Sequence, residues 1–540
     1  MHAPTPTNQY VIGLDFGTES ARAVLLRVGS SEIVTSAVHP YLHGVIERRL
    51  RGRALPPTYA LQDADDYLTA TEDILARVGA ALPLGAEVAG LAVAFTSSTP
   101  LPVLQSGAPL SRAFPDEPHA YTKLWKHLTG PQFTAPFQET PGIEYYGGSS
   151  SPSWLPAKAL ELAQEAPELW AQTARFIEAG DWLSAQLCAE HQDEVRSLAH
   201  AGYKAHFRTA YPPEMREALG NRLGSAPQLP GQRAGVMSEE WQVRCGFPNR
   251  PVVAVSAIDA HAAALGMGLI GEAELAAILG TSACYLISSA VELAVPGISG
   301  VVDGGIVPGL YGYEAGQAGF GDVLIWFVRM FPAAPDSTEA QSFEAYNAQA
   351  AELYPGEHGL LGLDWFNGCR TPLERKDLSG LLLGLSTSTT RAEIYRALIE
   401  SLCFGARRVL DTFRAAGVVP GRVVLAGGLS ERHPLLARIL CDVLDQPVEV
   451  AQTKSATARG AAMHAAVAAG TARDYADAAA QHADHRTLHL QPDLEASAIY
   501  EKLYRSYLDL SDLLASSLIM NGVQQIAEDA RARSTTTSRS

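Results

Sequence analysis

PVVAVSAIDAHAAALGMGLIGEAELAAILGTSACYLI, residues 251–287, is the stretch from which the fold is read. Its β-branched run (Val252, Val253, Val255) stops at Ser256, and an Ala-rich helical segment begins near Asp259. A lone carboxylate therefore stands where a strand hands over to a helix. Further on, Leu279-Gly280-Thr281-Ser282-Ala283 is a turn of small residues between apolar segments. A second Gly-Thr turn lies near the start of the chain, in Leu14-Asp15-Phe16-Gly17-Thr18-Glu19-Ser20. Two such turns and an acid at a helix start predict phosphate handling on a two-lobed scaffold.

The physical basis is the same for both turns. A phosphate takes several backbone donors on a tight curve plus a hydroxyl, and glycine lets the chain come close. A single Gly-Thr turn in a hairpin usually binds nothing; two of them, each after an apolar strand, favour phosphate binding. Asp15, beside the first turn, is suited to hold Mg²⁺ through water. Asp259 has two readings, as an N-cap or as the base for a hydroxyl attacking a phosphoryl group. A helix N-terminus is expected to hold its pKa low. Gly427-Gly428, after the apolar run Val423-Val424-Leu425, either lets a nucleoside lie flat on backbone or merely enters a helix.

Around these motifs the composition is that of a large globular protein. A chain of 540 residues, 47% hydrophobic and 18% charged, exceeds one ordinary core, so more than one domain is expected. The net charge of −17 disfavours nucleic acid and anionic membrane as partners. An anionic nucleotide then depends on local N–H groups or a metal ion. The six cysteines contain no Cys-x-x-Cys and read as buried thiols in a reducing compartment. MHAPTPTNQY does not read as a signal peptide, and the most apolar window, 262–279, carries Glu272 and Glu274. A cytoplasmic location is expected.

Along the chain, residues 10–28 give a hairpin signal, 91–95 a buried strand before the polar turn 96–99, and 201–204 a turn. Long helices are expected at 388–416, 432–445 and 455–470, with one or two amphipathic helices over 493–525. The domains expected are 8–250, carrying the first phosphate loop, and 251–490, carrying Asp259 and the second Gly-Thr turn. C-terminal helices follow at 491–530, then a disordered tail at 531–540. Three patterns carry no function. Gly266-Met267-Gly268-Leu269-Ile270-Gly271 follows a helix rather than a strand, so it lacks the context of a dinucleotide site. No G-x-x-x-x-G-K-[ST] occurs. His482, His485 and His489 read as a solvated polar linker rather than a metal site.

Taken together, GLDFGTES (13–20), LPPTYALQ (55–62), FTSSTPLPVL (95–104), EPHAYTKLWKH (117–127), FIEAGDW (176–182), AGYKAHF (201–207), DAHAAALG (259–266), YGYEAGQ (311–317), GLDWFNGCR (362–370) and VLAGGLSE (424–431) resemble the FGGY carbohydrate kinases. EPHAYTKLWKH and DWFNGCR resemble the ribulokinase branch in particular. The resemblance implies an α/β fold of two actin/hexokinase-like (ribonuclease H-like) domains around a central cleft. It implies phosphorylation of the O5 hydroxyl of L-ribulose by ATP with Mg²⁺, in arabinose catabolism. D-ribulose, xylulose or a pentitol are alternative acceptors, and an actin-like ATPase without a small acceptor is the alternative from another class. By position, Asp259 would be the catalytic base and Asp15 would support Mg²⁺. Gly17, Thr18, Gly280, Thr281 and Ser282 would cradle the ATP phosphates, and Gly427 and Gly428 would border adenosine. Thr96, Ser97, Lys204, Asp259 and Glu314 would meet the sugar. Ala94, Cys369 and His433 depart from the family pattern, and none touches Asp259 or the turns. A homodimer is the assembly expected.

Overall fold

The first Gly-Thr turn joins β1 (Gln9–Phe16) to β2 (Ser20–Arg27) in an antiparallel hairpin, closed by the Gly17 N–H donating to Ser20 O at 3.1 Å. In this computed structural model, which describes residues 8–189, 195–205, 217, 219–223 and 226–537, that hairpin starts the first of two large sheets. It continues through β3 (Ile33–Pro40), β4 (Glu87–Phe95), β5 (Arg233–Val236) and β6 (Val252–Ala254), in the order β5-β6-β4-β1-β2-β3. A short β7 (Ala257–Ile258) pairs with the C-terminal end of β4.

The second sheet contains β8 (Glu274–Leu279), β9 (Ala283–Ser289), β10 (Gly300–Asp303), β11 (Tyr311–Gln317), β12 (Arg422–Ala426), β13 (Val448–Ala451) and β14 (Thr487–Leu490). Its order is β10-β11-β9-β8-β12-β13-β14. The plan of the first sheet recurs here. In each, a three-strand antiparallel meander (β1-β2-β3, β8-β9-β11) is continued by two parallel strands (β4 and β6, β12 and β13). An antiparallel strand (β5, β14) closes each series. This duplication is the two-lobed architecture expected from the paired turns.

The helices follow local signals. Asp63 caps α1 (Ala64–Gly79), accepting from the Asp65 N–H. Then come α2 (Leu155–Glu165), α3 (Ala179–Leu187), α4 (Leu198–Lys204), α5 (Asp259–Gly266) and α6 (Gly321–Met330). A Thr390–Glu393 capping box starts α7 (Arg391–Ala415). It is followed by α8 (Pro434–Leu444), α9 (Ala456–Ala468), α10 (Leu494–Ala515) and α11 (Ile519–Thr537). Between the sheets lie α5 and α9, in one apolar cluster with Val11 and Ala92 of the first sheet and Ala276, Leu286 and Val424 of the second. Their Ala-rich composition is what lets backbones approach. A Cβ at Gly13 would sit 1.7 Å from Ala458 O, and one at Gly460 would sit 1.7 Å from Ala262 O.

Four expectations are corrected. The boundary at residue 250/251 falls inside the first sheet, because Val252 and Val253 pair with Gly90 and Leu91 of β4. Residues 201–204 are the end of α4 and not a turn. Gly202 is there for space, since a Cβ would lie 2.7 Å from a Val302 methyl. The stretch His482–His489 is not a solvated linker: His482 and Asp484 are buried, and β14 adds to the second sheet. The tail from 531 continues α11 to Thr537, because Ala-Glu-Asp-Ala-Arg-Ala-Arg (527–533) is built largely of good helix formers; residues 538–540 lie outside the described residues. Helix α10 packs on the second lobe, with Tyr500 donating to Glu400 (2.9 Å) and Tyr507 to Asp364 (2.7 Å). No helix among the described residues is long and apolar enough to cross a membrane.

Candidate active site

Three strand ends meet at one edge of the first sheet. In register, Asp15 stands opposite Ala94 and Phe16 opposite Phe95, while Ile258 pairs with Phe95 from the other side. The residues leaving that edge are Gly17-Thr18, Thr96-Ser97 and Asp259. The C-terminal ends of parallel strands are where α/β sheets hold ligands, because the turns there free backbone N–H groups and helix starts. The Thr96 N–H donates to Phe16 O at 3.2 Å and ties the first two turns together.

The first Gly-Thr turn is fixed by side chains from other segments. Gln62 Nε2 donates to Thr18 O at 2.7 Å, and the Trp125 indole donates to Thr18 Oγ1 at 3.1 Å. Arg22 donates to Asp15 Oδ2 at 3.0 Å. Burial nevertheless pushes Asp15 up to about 6, against the lowering influence of Arg22. In the adjacent turn the Thr96 and Thr99 hydroxyls are 3.0 Å apart, and the Thr99 N–H donates to Glu178 Oε2 at 2.8 Å.

Asp259 is the first residue of α5, and Ile258 occupies the capping position. Its Oδ1 accepts from its neighbour's N–H, Ala260, at 2.8 Å. The low pKa expected from the helix start is corrected: it is raised to about 7. Loss of solvent is the largest cause, and the Asp15 charge adds to it, outweighing the Ala260 N–H; Glu314 raises it further and Lys204 opposes. A short helix start cannot offset a desolvated site that already holds two carboxylates. The strand break before Asp259 is pinned by Ser256, whose hydroxyl donates to Asp181 Oδ1 at 2.6 Å; the Ser197 N–H reaches the same oxygen at 3.0 Å.

Glu314 on β11 gathers three basic groups. Lys204, at the end of α4, forms a buried ion pair with Glu314 Oε1. Arg370 reaches the same oxygen at 3.1 Å and Ser299 Oγ at 2.8 Å, and His261 Nε2 lies 3.2 Å from Oε2. Burial alone would raise the Glu314 carboxyl, but Lys204, His261 and Arg370 outweigh it and hold the group well below the usual carboxylate range. Lys204 and Glu314, each assigned to the sugar by the resemblance, are thus paired with one another. His261 and Arg370 were missed as site residues, although both lie inside quoted motifs, because nothing in the sequence ties residue 370 to residue 314.

The second turn is held by backbone. Gly280 N–H donates to Ser282 O at 3.0 Å, and the start of α6 donates into the turn's carbonyls: Phe320 to Thr281 O (3.0 Å), Gly321 to Gly280 O (3.0 Å) and Asp322 to Thr281 O (3.3 Å). Because β12 runs parallel to β8 with Ala426 opposite Ile278, Gly427 emerges beside Leu279. Its φ of 98° suits glycine, and a Cβ there would lie 2.4 Å from Leu279 O. Gly428 opens the short helix Gly428–Arg432. Cys284, two residues past the second turn, has its thiol pushed up by burial and next by Glu314, with Arg370, Lys204 and Asp259 also acting on it. The second hairpin therefore lies within electrostatic reach of the acidic centre. Among the described residues no cluster of three or more His, Cys, Asp or Glu is placed to hold a metal ion.

Comparison with known proteins bears on the family and the fold. Residues 275–469 match the model of the FGGY family of carbohydrate kinases, C-terminal domain. The chain is 37% identical to a ribulokinase of Geobacillus thermodenitrificans over 97% of its own length and 98% of that protein. It is 36% identical to a ribulokinase of Mycolicibacterium smegmatis over 98% and 99% of the two chains. Among solved structures, a xylulose kinase from Rhodospirillum rubrum superposes with a TM-score of 0.79 at 23% identity, covering 94% of this chain and 99% of that one. A Plasmodium falciparum glycerol kinase bound to ADP superposes with a TM-score of 0.73 at 15% identity, covering 94% and 99%. The two solved structures bear on the fold alone.

Proposed function

The chain belongs to the FGGY family of carbohydrate kinases, on its ribulokinase branch, and from that premise we propose that it phosphorylates O5 of L-ribulose to give L-ribulose 5-phosphate and ADP, in L-arabinose catabolism. ATP-dependent phosphorylation of a sugar is the activity of the family; the acceptor and the residue roles are the proposal. The observation that carries it is that Asp259 leaves the same sheet edge as the Gly17-Thr18 and Thr96-Ser97 turns, where burial pushes its carboxyl up to about 7, within electrostatic reach of the hairpin bearing the other Gly-Thr turn. A general base works best when its pKa lies near the operating pH.

The steps balance simply. The sugar hydroxyl gives its proton to Asp259 as its oxygen bonds to the γ-phosphorus, and the bond from that phosphorus to the β–γ bridging oxygen breaks, releasing ADP. Gly17, Thr18, Gly280, Thr281 and Ser282 cradle the phosphates, and Gly427 and Gly428 border the adenosine. Thr96, Ser97, Lys204 and Glu314 hold the sugar; Lys204 and Glu314, already paired, would exchange part of that contact for sugar hydroxyls. Closure of the lobes excludes water as a competing acceptor.

Magnesium fits the same site. Asp15 has one oxygen engaged by Arg22, and its charge is felt by Asp259, so a cation there would relieve the repulsion. With no full ligand set among the described residues, Mg²⁺ would rest on Asp15 through water and on the nucleotide phosphates. The ion would supply neutralisation of phosphate charge. A homodimer and a cytoplasmic location complete the proposal; exposed Leu518, Ile519, Val523 and Ile526 on and beside α11 support the former.

The test is a substrate panel, comparing kcat/KM with MgATP for L-ribulose, D-ribulose, both xyluloses and the pentitols. The highest value for L-ribulose is expected. A clear preference for another acceptor would replace it, and ADP release independent of any sugar would reject the sugar acceptor altogether.

A further inference from the structure

Behind the turn at 96–99, away from the cleft, lies a buried ammonium that the proposed chemistry does not use. Lys158 of α2 is wholly buried. Its Nζ donates to Ser98 O at 2.8 Å, Leu124 O at 2.9 Å and Lys123 O at 3.4 Å, so its three donors all go to backbone carbonyls. Beside it Glu178, also buried, accepts the Thr99 N–H at 2.8 Å. Burial drives the Lys158 ammonium down and the Glu178 carboxyl up, and each charge opposes the shift of the other.

The carbonyls belong to two segments with different tasks. Ser98 is part of the turn that carries Thr96 and Ser97. Leu124 precedes Trp125, whose indole holds the Thr18 hydroxyl of the first Gly-Thr turn. One side chain therefore joins the back of the sugar turn to the segment that braces the phosphate turn. A buried ammonium is seldom the most stable filling for such a space, since an apolar side chain of similar volume avoids the desolvation cost. What an apolar side chain could not do is fix three carbonyls at set distances from one point.

We propose that Lys158, with Glu178 as its counter-charge, is a positioning residue that sets the sugar turn at 96–99 relative to the first phosphate turn. This rests on the reading of that turn as part of the sugar site. Lys158→Met keeps most of the side chain's length and removes its donors. Steady-state kinetics on the full-length variant should show KM for L-ribulose raised about tenfold, the scale of effect produced by small misplacements, with KM for MgATP changed less than twofold. Thermal shifts should agree, with the sugar-induced rise in Tm diminished and the MgATP-induced rise kept. A variant with lowered Tm but wild-type KM for the sugar would overturn the proposal, because a purely structural role moves only the former. Should Lys158→Met not fold, Glu178→Gln, nearly isosteric and still able to accept from Thr99, is expected to raise the sugar KM in the same direction; an unchanged KM would overturn the proposal. Wild-type enzyme without pentulose-dependent ADP release would contradict the sugar reading itself and remove the proposal with it.

Discussion

The two Gly-Thr turns occupy equivalent places in two sheets of the same plan, yet they are held in different ways. The first is braced by side chains from distant segments, Gln62 and Trp125, with Arg22 of the same hairpin on the adjoining Asp15. The second is held by backbone N–H groups at the start of α6 and overlain by Gly427. Side-chain bracing specifies a charge pattern and, on the proposed reading, suits the lobe where an acceptor must be recognised and a proton taken. Backbone bracing suits a ligand whose phosphates are the same in every turnover. Duplication supplied two equal scaffolds, and the difference lies in what each strand edge was given to hold.

The comparison breaks most readily at Asp259. Asp259→Asn should lower sugar phosphorylation about 10³-fold, within the range of general-base effects, while the MgATP-induced rise in Tm persists. Near-normal ADP release in a coupled assay would remove Asp259 from the role. Next in size, Glu314→Gln leaves Lys204 and Arg370 without their carboxylate. Loss of one partner of a buried pair typically costs about 3–5 kcal/mol, measurable by denaturant unfolding, with KM rising for the sugar and not for MgATP. An unchanged midpoint would mean that the pair is solvated in solution.

The reciprocal case is Gly427→Ala. A non-glycine residue at a φ of 98° and in contact with Leu279 O carries strain of about 1–3 kcal/mol. Here KM should rise for MgATP and stay constant for the sugar; the opposite split would invert the assignment of the lobes. The smallest effect expected is in pH dependence. With Asp259 at about 7, kcat/KM for the sugar should fall about tenfold per pH unit below neutrality, because the base must be ionised and this ratio reports the free enzyme. For stability the sign is opposite. A raised carboxylate contributes stability that is present below the unfolded pKa and lost as pH rises through about 7. Asp259→Asn should therefore raise Tm at pH 8 and leave it nearly unchanged at pH 4.

What could be read beforehand was local. Gly17-Thr18, Gly280-Thr281-Ser282 and Gly427-Gly428 declare themselves because small residues after apolar runs have few other reasons to be there, and Asp259 because it starts a helix. The ion cluster around Glu314 could not be read, since α4, β11 and residue 370 meet only through the packing of two lobes. The lobe boundary was misplaced for a related reason: Val252 and Val253 form a β-branched run whichever sheet accepts them, and parallel pairing with Gly90 and Leu91 is a long-range choice. The Asp259 pKa was misjudged because the helix start is written in the sequence, whereas the nearby carboxylates of Asp15 and Glu314 are not.

The most direct measurement is a crystal structure with a non-hydrolysable ATP analogue and L-ribulose bound together. The triphosphate is expected between Gly17-Thr18 and Gly280-Thr281-Ser282, with the sugar O5 about 2.6–3.2 Å from an Asp259 oxygen and facing the γ-phosphorus. A triphosphate away from both turns, or an O5 that approaches some other base while Asp259 faces the protein interior, would contradict that arrangement.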